Sequence, residues 1–415
     1  MSEKVRHVGA YVQTLLKWLV FAVVTGVICG AVGSLFHIGV IAADSFRAAH
    51  GWLLWCLPLA GLAIVALYKG TGMEGTGTNR VIDAVRHGKR ISFLLTPAIF
   101  IGTILTHLCG GSAGREGAAL QMGGSIGELT GGWFQLDERD MRVAVIAGMS
   151  AFFSALFGTP LTAAFFAMEF VSVGVFYHAA FVPALAAALT AYGVSIFAGL
   201  APTAFSVTAP ELTVHMFCRV ALLGMLCAVV SILLCEGLHR TERWLKGWFH
   251  SPWKRVVAGG LAVIALTWAL GTTDYNGAGM GIITQAVGGQ ARPEAFLLKI
   301  LFTAITIGAG FKGGEVVPTF FVGATFGCVA GALLGIPPGF AAAVGLVAVF
   351  CGAVNCPIAS ICLSTELFGA EGLLYFALAC GIGYMLSGYR GLYSSQTILY
   401  SKLKAEFINV QTRGE

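Results

Sequence analysis

The residue in this chain best suited to chemistry is Glu116, a carboxylate that follows Gly110-Gly111-Ser112-Ala113-Gly114-Arg115 and opens a glycine-rich apolar segment. A helix starting at such a break presents unpaired N–H groups and a partial positive charge, which makes its first turn a seat for an anion. A carboxylate side chain there imitates a bound anion and can be displaced by one. Protonation would release it, so Glu116 could serve both as a gate in an anion path and as a proton carrier, since ionisable groups within a membrane are functional by default. The alternative is a permanent pair with Arg115 that only holds helices together.

The arrangement occurs twice. Gly114-Arg115-Glu116-Gly117-Ala118 leads into Gly123-Gly124-Ser125-Ile126-Gly127, and 200 residues later Gly314-Glu315-Val316-Val317-Pro318 leads into Gly323-Ala324-Thr325-Phe326-Gly327. Aligning the downstream glycines puts Val316 at the place of Glu116, with its backbone amides free to face the same ion. Glu315 and Lys312 add charge beside this second break, either as local structural partners or with Glu315 as a second proton site. A further pair has the same character: Pro160 precedes Glu169 by nine positions in an apolar run, and Pro357 precedes Glu366 by the same nine. Two halves with glycine-rich breaks and proline-started helices are the expected trace of a transporter built from repeats around broken helices.

Two other segments carry hydroxyls. Gly75-Thr76-Gly77-Thr78-Asn79 precedes an expected helix from Arg80, and Thr76 either offers its hydroxyl to an anion or, with Asn79, belongs to an ordinary N-cap. Tyr393, in Gly391-Leu392-Tyr393-Ser394-Ser395, follows the last apolar run and alone would pass for an interfacial aromatic.

The elements that must position these residues are membrane helices. Hydrophobic residues make up 57% of the chain and charged ones 11%, with a mean hydropathy of +0.83, far beyond a soluble domain. Runs from Trp18 to Ile41, Trp52 to Tyr68, Ile91 to Cys109, Phe176 to Leu200, Phe217 to Gly237 and Val256 to Leu270 approach the roughly 20 residues of a spanning helix. The other apolar runs read as too short or too glycine-rich to cross simply. Lys4, Arg6, His7 and Lys17 precede a first helix read as retained, not as a cleaved signal. These residues, Arg86, Lys89 and Arg90, the segment from Arg240 to Arg255, and Lys402 with Lys404 are the basic clusters. The positive-inside rule assigns them to the cytoplasm, with both termini there and the chain multi-pass in the plasma membrane. The net charge of +5 then reflects topology and supports no nucleic-acid role. The eleven cysteines make no CxxC pair and read as small apolar packing residues. About the first 16 and last 15 residues read as tails.

Taken together, these segments resemble the CLC family of chloride channels and halide/proton antiporters over nearly the whole chain. Gly114 to Gly117 is similar to its GREGP motif, with Ala118 in place of proline. Gly314 to Pro318 is similar to its GxFxP motif, with Val316 in place of phenylalanine. Gly75 to Asn79 resembles its GSGIP motif, with Thr76 for serine and Asn79 for proline, and Leu392-Tyr393-Ser394 resembles the segment of its anion-coordinating tyrosine.

The resemblance implies an all-α polytopic membrane protein: an inverted-topology repeat whose broken helices meet at a central anion site. It would be a single transmembrane domain over 1–415, with a first half over 17–205, a second over 206–400 and no cytoplasmic regulatory domain. Two copies would associate as a homodimer, each with its own path. The implied anion-binding set is Thr76, Gly77, Arg115, Glu116, Gly117, Glu315, Val316, Val317 and Tyr393, with Glu116 as gate and proton carrier and Glu315 as a possible second proton site; no metal or cofactor is implied. The chloride-branch antiporters carry an internal proton glutamate at the position held here by Phe170, which puts that route in question. The Gly-Glu-Val-x-Pro form and Lys312-Gly313 resemble the fluoride-transporting branch. That branch tends to replace the central serine, so Met73 competes with Thr76 for the central position.

Function is therefore expected to be transmembrane transport of fluoride or chloride, by proton antiport or as a gated channel. A transporter of a cation or carboxylate built on the same repeat is the reading from another class, but it would want unwound carbonyls or acidic pairs, and here helix starts are preserved. An enzyme is not expected: HExxH is absent and the nine histidines are scattered. Gly308 to Gly313 spells GxGxxG without a βαβ context.

Overall fold

The computed structural model describes residues 3–412, with side chains from residue 9 onward. The chain ends and the side chains of Lys4, Arg6 and His7 lie outside the described residues. Sixteen α-helices are found among those described, in two series of eight: α1 (Glu3–Ala49), α2 (Leu57–Gly70), α3 (Thr78–His87), α4 (Leu95–Leu108), α5 (Glu116–Trp133), α6 (Glu138–Phe157), α7 (Pro160–Glu169) and α8 (Phe181–Phe197), then α9 (Val214–Trp248), α10 (Pro252–Leu270), α11 (Met280–Val287), α12 (Ala295–Ala309), α13 (Val316–Leu334), α14 (Pro338–Val354), α15 (Pro357–Phe368) and α16 (Leu373–Leu386). A small sheet joins β1 (Ser172–Val173), β2 (Thr397–Tyr400) and β3 (Phe407–Gln411), with β1 parallel and β3 antiparallel to β2.

Seven helical segments among the described residues are long and apolar enough to cross a membrane. They include α6 and α13, whose glycine-rich or charged flanks had hidden them. The run from Ile91 to Cys109 forms only the 14-residue α4, about 21 Å long and short of the hydrocarbon thickness. Conversely, α1 is 47 residues long, about 70 Å, and must tilt or emerge. The expected N-terminal tail is thus corrected: α1 is helical from Glu3. At the other end β3 pairs with β2, so residues 407–411 are tied down as well.

The duplicated glycines are packing sites. A Cβ at Gly148 in α6 would collide with the Gly123 carbonyl of α5, and a Cβ at Gly345 in α14 would collide with the Gly323 carbonyl of α13. Backbone therefore meets backbone in α5–α6 and again in α13–α14, the close approach that small residues allow between membrane helices.

The two proline-started helices clasp each other. Glu169, at the end of α7, accepts hydrogen bonds from Ile358 N (3.3 Å) and Ala359 N (3.0 Å) in the first turn of α15. Glu366, near the end of α15, accepts from Leu161 N (2.9 Å) and Thr162 N (2.8 Å) in the first turn of α7. Each carboxylate satisfies N–H groups that a helix start leaves unpaired, and proline occupies the position where no N–H is needed. Replacing Glu366 by Ala orphans two amides at a helix start and is expected to cost about 1–3 kcal/mol, read as a lower melting temperature of the purified protein; Glu366→Gln should recover part of it.

Candidate functional site

The two glycine-rich breaks meet. Gly114 N donates to Gly314 O (2.7 Å) and Gly314 N donates to Gly114 O (2.8 Å), an isolated antiparallel bridge. Contact at this range demands glycine: a Cβ at Gly117 would stand 2.9 Å from Gly314 Cα, and one at Gly314 would stand 2.9 Å from Glu116 N. The first helical residues on either side are Glu116 and Val316, which agrees with their alignment in sequence.

Glu116 is fully buried, and its Oε2 accepts from Arg115 N (2.9 Å) and from Val317 N (3.3 Å). The carboxylate thus caps its own helix and the start of α13, the position an anion would take at a helix N-terminus. Arg115 Nε lies 3.6 Å from Oε1, an ion pair too long for a hydrogen bond, and Oε1 has no hydrogen-bond partner. On one flank His107, fully buried, reaches Gly114 O through Nε2 (3.4 Å) and the Asp44 carboxylate through Nδ1 (3.3 Å).

On the other flank lies a cavity of about 470 Å³ that joins three chain segments: Glu74 to Asn79, Gly308 to Gly313 with Glu315, and Leu392 to Ser394. Its rim carries His239, Glu242 and Lys246 of α9 and Arg255 of α10. Of the hydroxyls expected here, Tyr393 is 2% exposed with an unpartnered Oη. Thr76 lines the cavity, but its hydroxyl donates to Met73 O (2.6 Å). Met73 packs on the hydrophobic core and is not among the lining residues. α3 starts at Thr78 after Gly77, two residues before the expected Arg80, because Gly77 in extended geometry ends the loop. Glu315 occupies the N-cap position of α13 without a side-chain capping bond, and its Oε2 is buried without a partner.

Thr76, Gly77, Glu315 and Tyr393 therefore share one cavity, while Arg115, Glu116, Gly117, Val316 and Val317 lie at the bridged helix starts and are not among its lining residues. Sequence reasoning missed Gln121, whose Nε2 donates to Gly117 O (3.1 Å) and Thr78 Oγ1 (3.3 Å), linking α5 to α3 at the cavity. The lone amide in an apolar helix was its only signal. Asn79, expected in an N-cap, lies inside α3 because Gly77 holds the cap position; it accepts from Ser395 N and donates to Ser394 Oγ, both at 3.0 Å, and so ties the Thr76 loop to the Tyr393 loop. Phe170 is fully buried and edges onto Tyr393 with ring centroids 4.8 Å apart, so an apolar ring backs the tyrosine.

The family model for voltage gated chloride channels matches residues 59–388. The chain belongs to this family, the CLC family. It is 36% identical over 398 residues to a chloride/fluoride channel protein of Pseudomonas syringae pv. tomato, covering 94% of this chain and 88% of that protein. It also superposes on a CLC-type fluoride/proton antiporter with a TM-score of 0.87 and 34% identity, over 92% of this chain and 98% of that one. A slow cyanobacterial Cl−/H+ antiporter, 20% identical with a TM-score of 0.76 over 89% of this chain and 94% of that one, shares the fold. The protein is an all-α polytopic CLC membrane protein, with the small sheet as an addition that composition did not signal.

The bridge makes a direct prediction. Gly314→Ala should lower anion flux in proteoliposomes by about tenfold or more, since its methyl would wedge between the two breaks and overpacking of this kind costs about 1–3 kcal/mol.

Proposed function

We propose that this CLC protein moves halide across the membrane by anion/proton antiport, with fluoride favoured over chloride, and with no covalent conversion of the ion. The observation that carries this reading is the Glu116 carboxylate resting on the Val317 amide in the first turn of α13. An arriving anion competes with it for that amide, and a proton arriving at Glu116 removes its charge and frees the seat. One side chain thereby exchanges one ion for the other. In this reading Thr76, Gly77, Arg115, Gly117, Glu315, Val316, Val317 and Tyr393 line the anion path, and Glu315 is a second proton site. Fluoride is favoured by the Gly-Glu-Val-x-Pro break and by the fluoride named in two similar proteins. Fluoride holds water tightly, so its site must replace that hydration with strong donors, and a carboxyl proton on Glu315 is such a donor.

The halves are assigned to 17–205 and 206–400, supported by the duplicated glycine contacts and the reciprocal carboxylate caps. Two copies associate as a homodimer in the plasma membrane, as the family resemblance implies. The face carrying Arg240 to Arg255 is cytoplasmic by the positive-inside rule, with Trp244 and Trp248 exposed beside it as interfacial aromatics, and both termini are assigned to the same side.

The test is efflux from liposomes loaded with fluoride or chloride, followed by an ion electrode and a pH electrode together. Fluoride efflux with stoichiometric proton uptake is expected. Chloride efflux with no pH change would replace this reading with a passive channel. In the same assay Glu116→Gln or Glu116→Ala should abolish proton movement while anion flux survives; proton flux persisting in either variant would remove Glu116 from its role.

A further inference from the structure

His107 has hydrogen-bond acceptors on both of its ring nitrogens. Nε2 meets Gly114 O at 3.4 Å, and Nδ1 lies 3.4 Å from Asp44 Oδ1 and 3.3 Å from Oδ2. A neutral imidazole has a single N–H and satisfies one of them; satisfying both takes a second ring proton or a protonated Asp44. Arg47 Nη2 stands 3.5 Å from Asp44 Oδ1, a partner for a carboxylate and not for a neutral acid, so the second proton belongs to the ring. The ring is wholly buried, while the Asp44 side chain is 32% exposed. Between Lys17 and Asp44, 26 residues of α1 carry no Asp, Glu, Lys or Arg, about 39 Å of helix and more than the hydrocarbon is thick. With Lys17 on the cytoplasmic side, Asp44 emerges at the opposite face.

What the ring holds is the bridge between the two breaks. Gly114 O accepts from Gly314 N at 2.8 Å as well as from His107, so both lone pairs of that carbonyl are in use. A ring with one N–H keeps it on Nδ1, because a carboxylate is a stronger acceptor than a carbonyl. Nε2 then turns a lone pair on Gly114 O, and an attraction becomes a repulsion at the contact that joins the helix starts. The neighbouring charges oppose the second proton. Arg47 lies against Asp44, and Arg115 at the start of α5 acts on Asp44 through space. Lys299 of α12 donates to Tyr275 O (3.1 Å) and to Gly277 O (2.7 Å), and a Cβ at Gly277 would stand 3.2 Å from Asp44 Oδ1. Glu116, beside Arg115, is the further acid here, while Tyr68 of α2 and Lys312 meet each other at the cavity. Two acceptors demand the proton and three cations resist it, so it is removable and not permanent.

We propose that His107 is a positioning residue for the anion seat, acting as an imidazolium braced between Asp44 and Gly114, and that alkaline pH on the non-cytoplasmic side removes its second proton and slackens the Gly114–Gly314 bridge. Among the described residues no hydrogen bond joins His107 to Glu116, so the pair braces the seat and does not carry the transported proton. Regulation of this kind lies beyond the antiport reading and rests on it only for the flux assay.

The ring is read directly by nitrogen NMR of the protein in lipid, labelled in its histidine rings, with His107→Gln assigning the signal. Over a titration across about pH 5 to 8, the range in which histidine switches, both His107 nitrogens should be protonated at the acid end and one at the alkaline end. Asp44→Asn offers Nδ1 an amide that can donate, so a neutral ring keeps both hydrogen bonds and the doubly protonated signal should vanish. Function is read as fluoride flux at equal pH on both sides, in the Glu116→Ala background, which removes the gate's own titration. Flux should fall about fivefold from the acid to the alkaline end, the worth of about one hydrogen bond. Adding Asp44→Asn should hold it near the acid-end rate throughout. A merely structural pair would keep one ring proton at every pH, or give a flux profile that Asp44→Asn leaves unchanged, and either result overturns the proposal. If Asp44→Asn does not yield monodisperse protein, the titration of the wild-type ring is held to the same criterion. Loss of all anion flux in Glu116→Ala would count against the antiport reading, and the ring titration would still decide this one.

Discussion

The pair of hydrogen bonds between Gly114 and Gly314 is the constraint on which the rest of the site depends. It brings two helix starts from distant parts of the chain to within backbone contact, so the positive ends of α5 and α13 converge on one point. Like ends brought together repel unless something negative lies between them, and the Glu116 carboxylate fills that role. The bridge thus creates an electrostatic vacancy that a carboxylate or a free anion can fill. Glycine is required at the contact because any Cβ would separate the breaks and with them the two sets of amides.

A second reciprocal contact repeats the logic with a different outcome. Glu169 and Glu366 each cap the other's helix with two hydrogen bonds. Both oxygens of each carboxylate are engaged there, whereas at Glu116 one oxygen is left without a hydrogen bond. A fully satisfied buried carboxylate is costly to release and a half-satisfied one less so. The same helix-terminus chemistry therefore serves as a fully bonded clasp between α7 and α15 and as a half-bonded cap between α5 and α13.

Tyr393 is held by elements that only the full chain brings together. Thr412, just past β3, donates to Tyr393 O at 2.6 Å, Leu392 N donates to Ala353 O at 2.9 Å, and Asn79 brackets Ser394 and Ser395. The hydroxyl itself is left free. A rigid backbone with an unspent side-chain donor is the condition for a preorganised ligand group. The strand that supplies Thr412 lies in the segment expected to be a tail, because its short alternation of residues carries no hydrophobic signal until β2 is beside it.

What the sequence by itself determined is the class of protein and the identity of its breaks. Hydropathy demands helices in a bilayer, and glycine runs followed by Glu116 and Val316, with proline nine residues before Glu169 and Glu366, mark helix starts through rules that act within a few residues. What only the tertiary structure decided is which start meets which. Partners such as Gly114 and Gly314, or Glu366 and Leu161, are about 200 residues apart, and no local propensity records the pairing. Tertiary packing also set the true extent of α4 and α1 and brought Asn79 and Gln121 to the cavity. Lys312 shows the difference most plainly: in sequence it is a charge beside a break with Glu315 three residues on, and in the fold that carboxylate does not pair with it, so its charge is left facing the cavity.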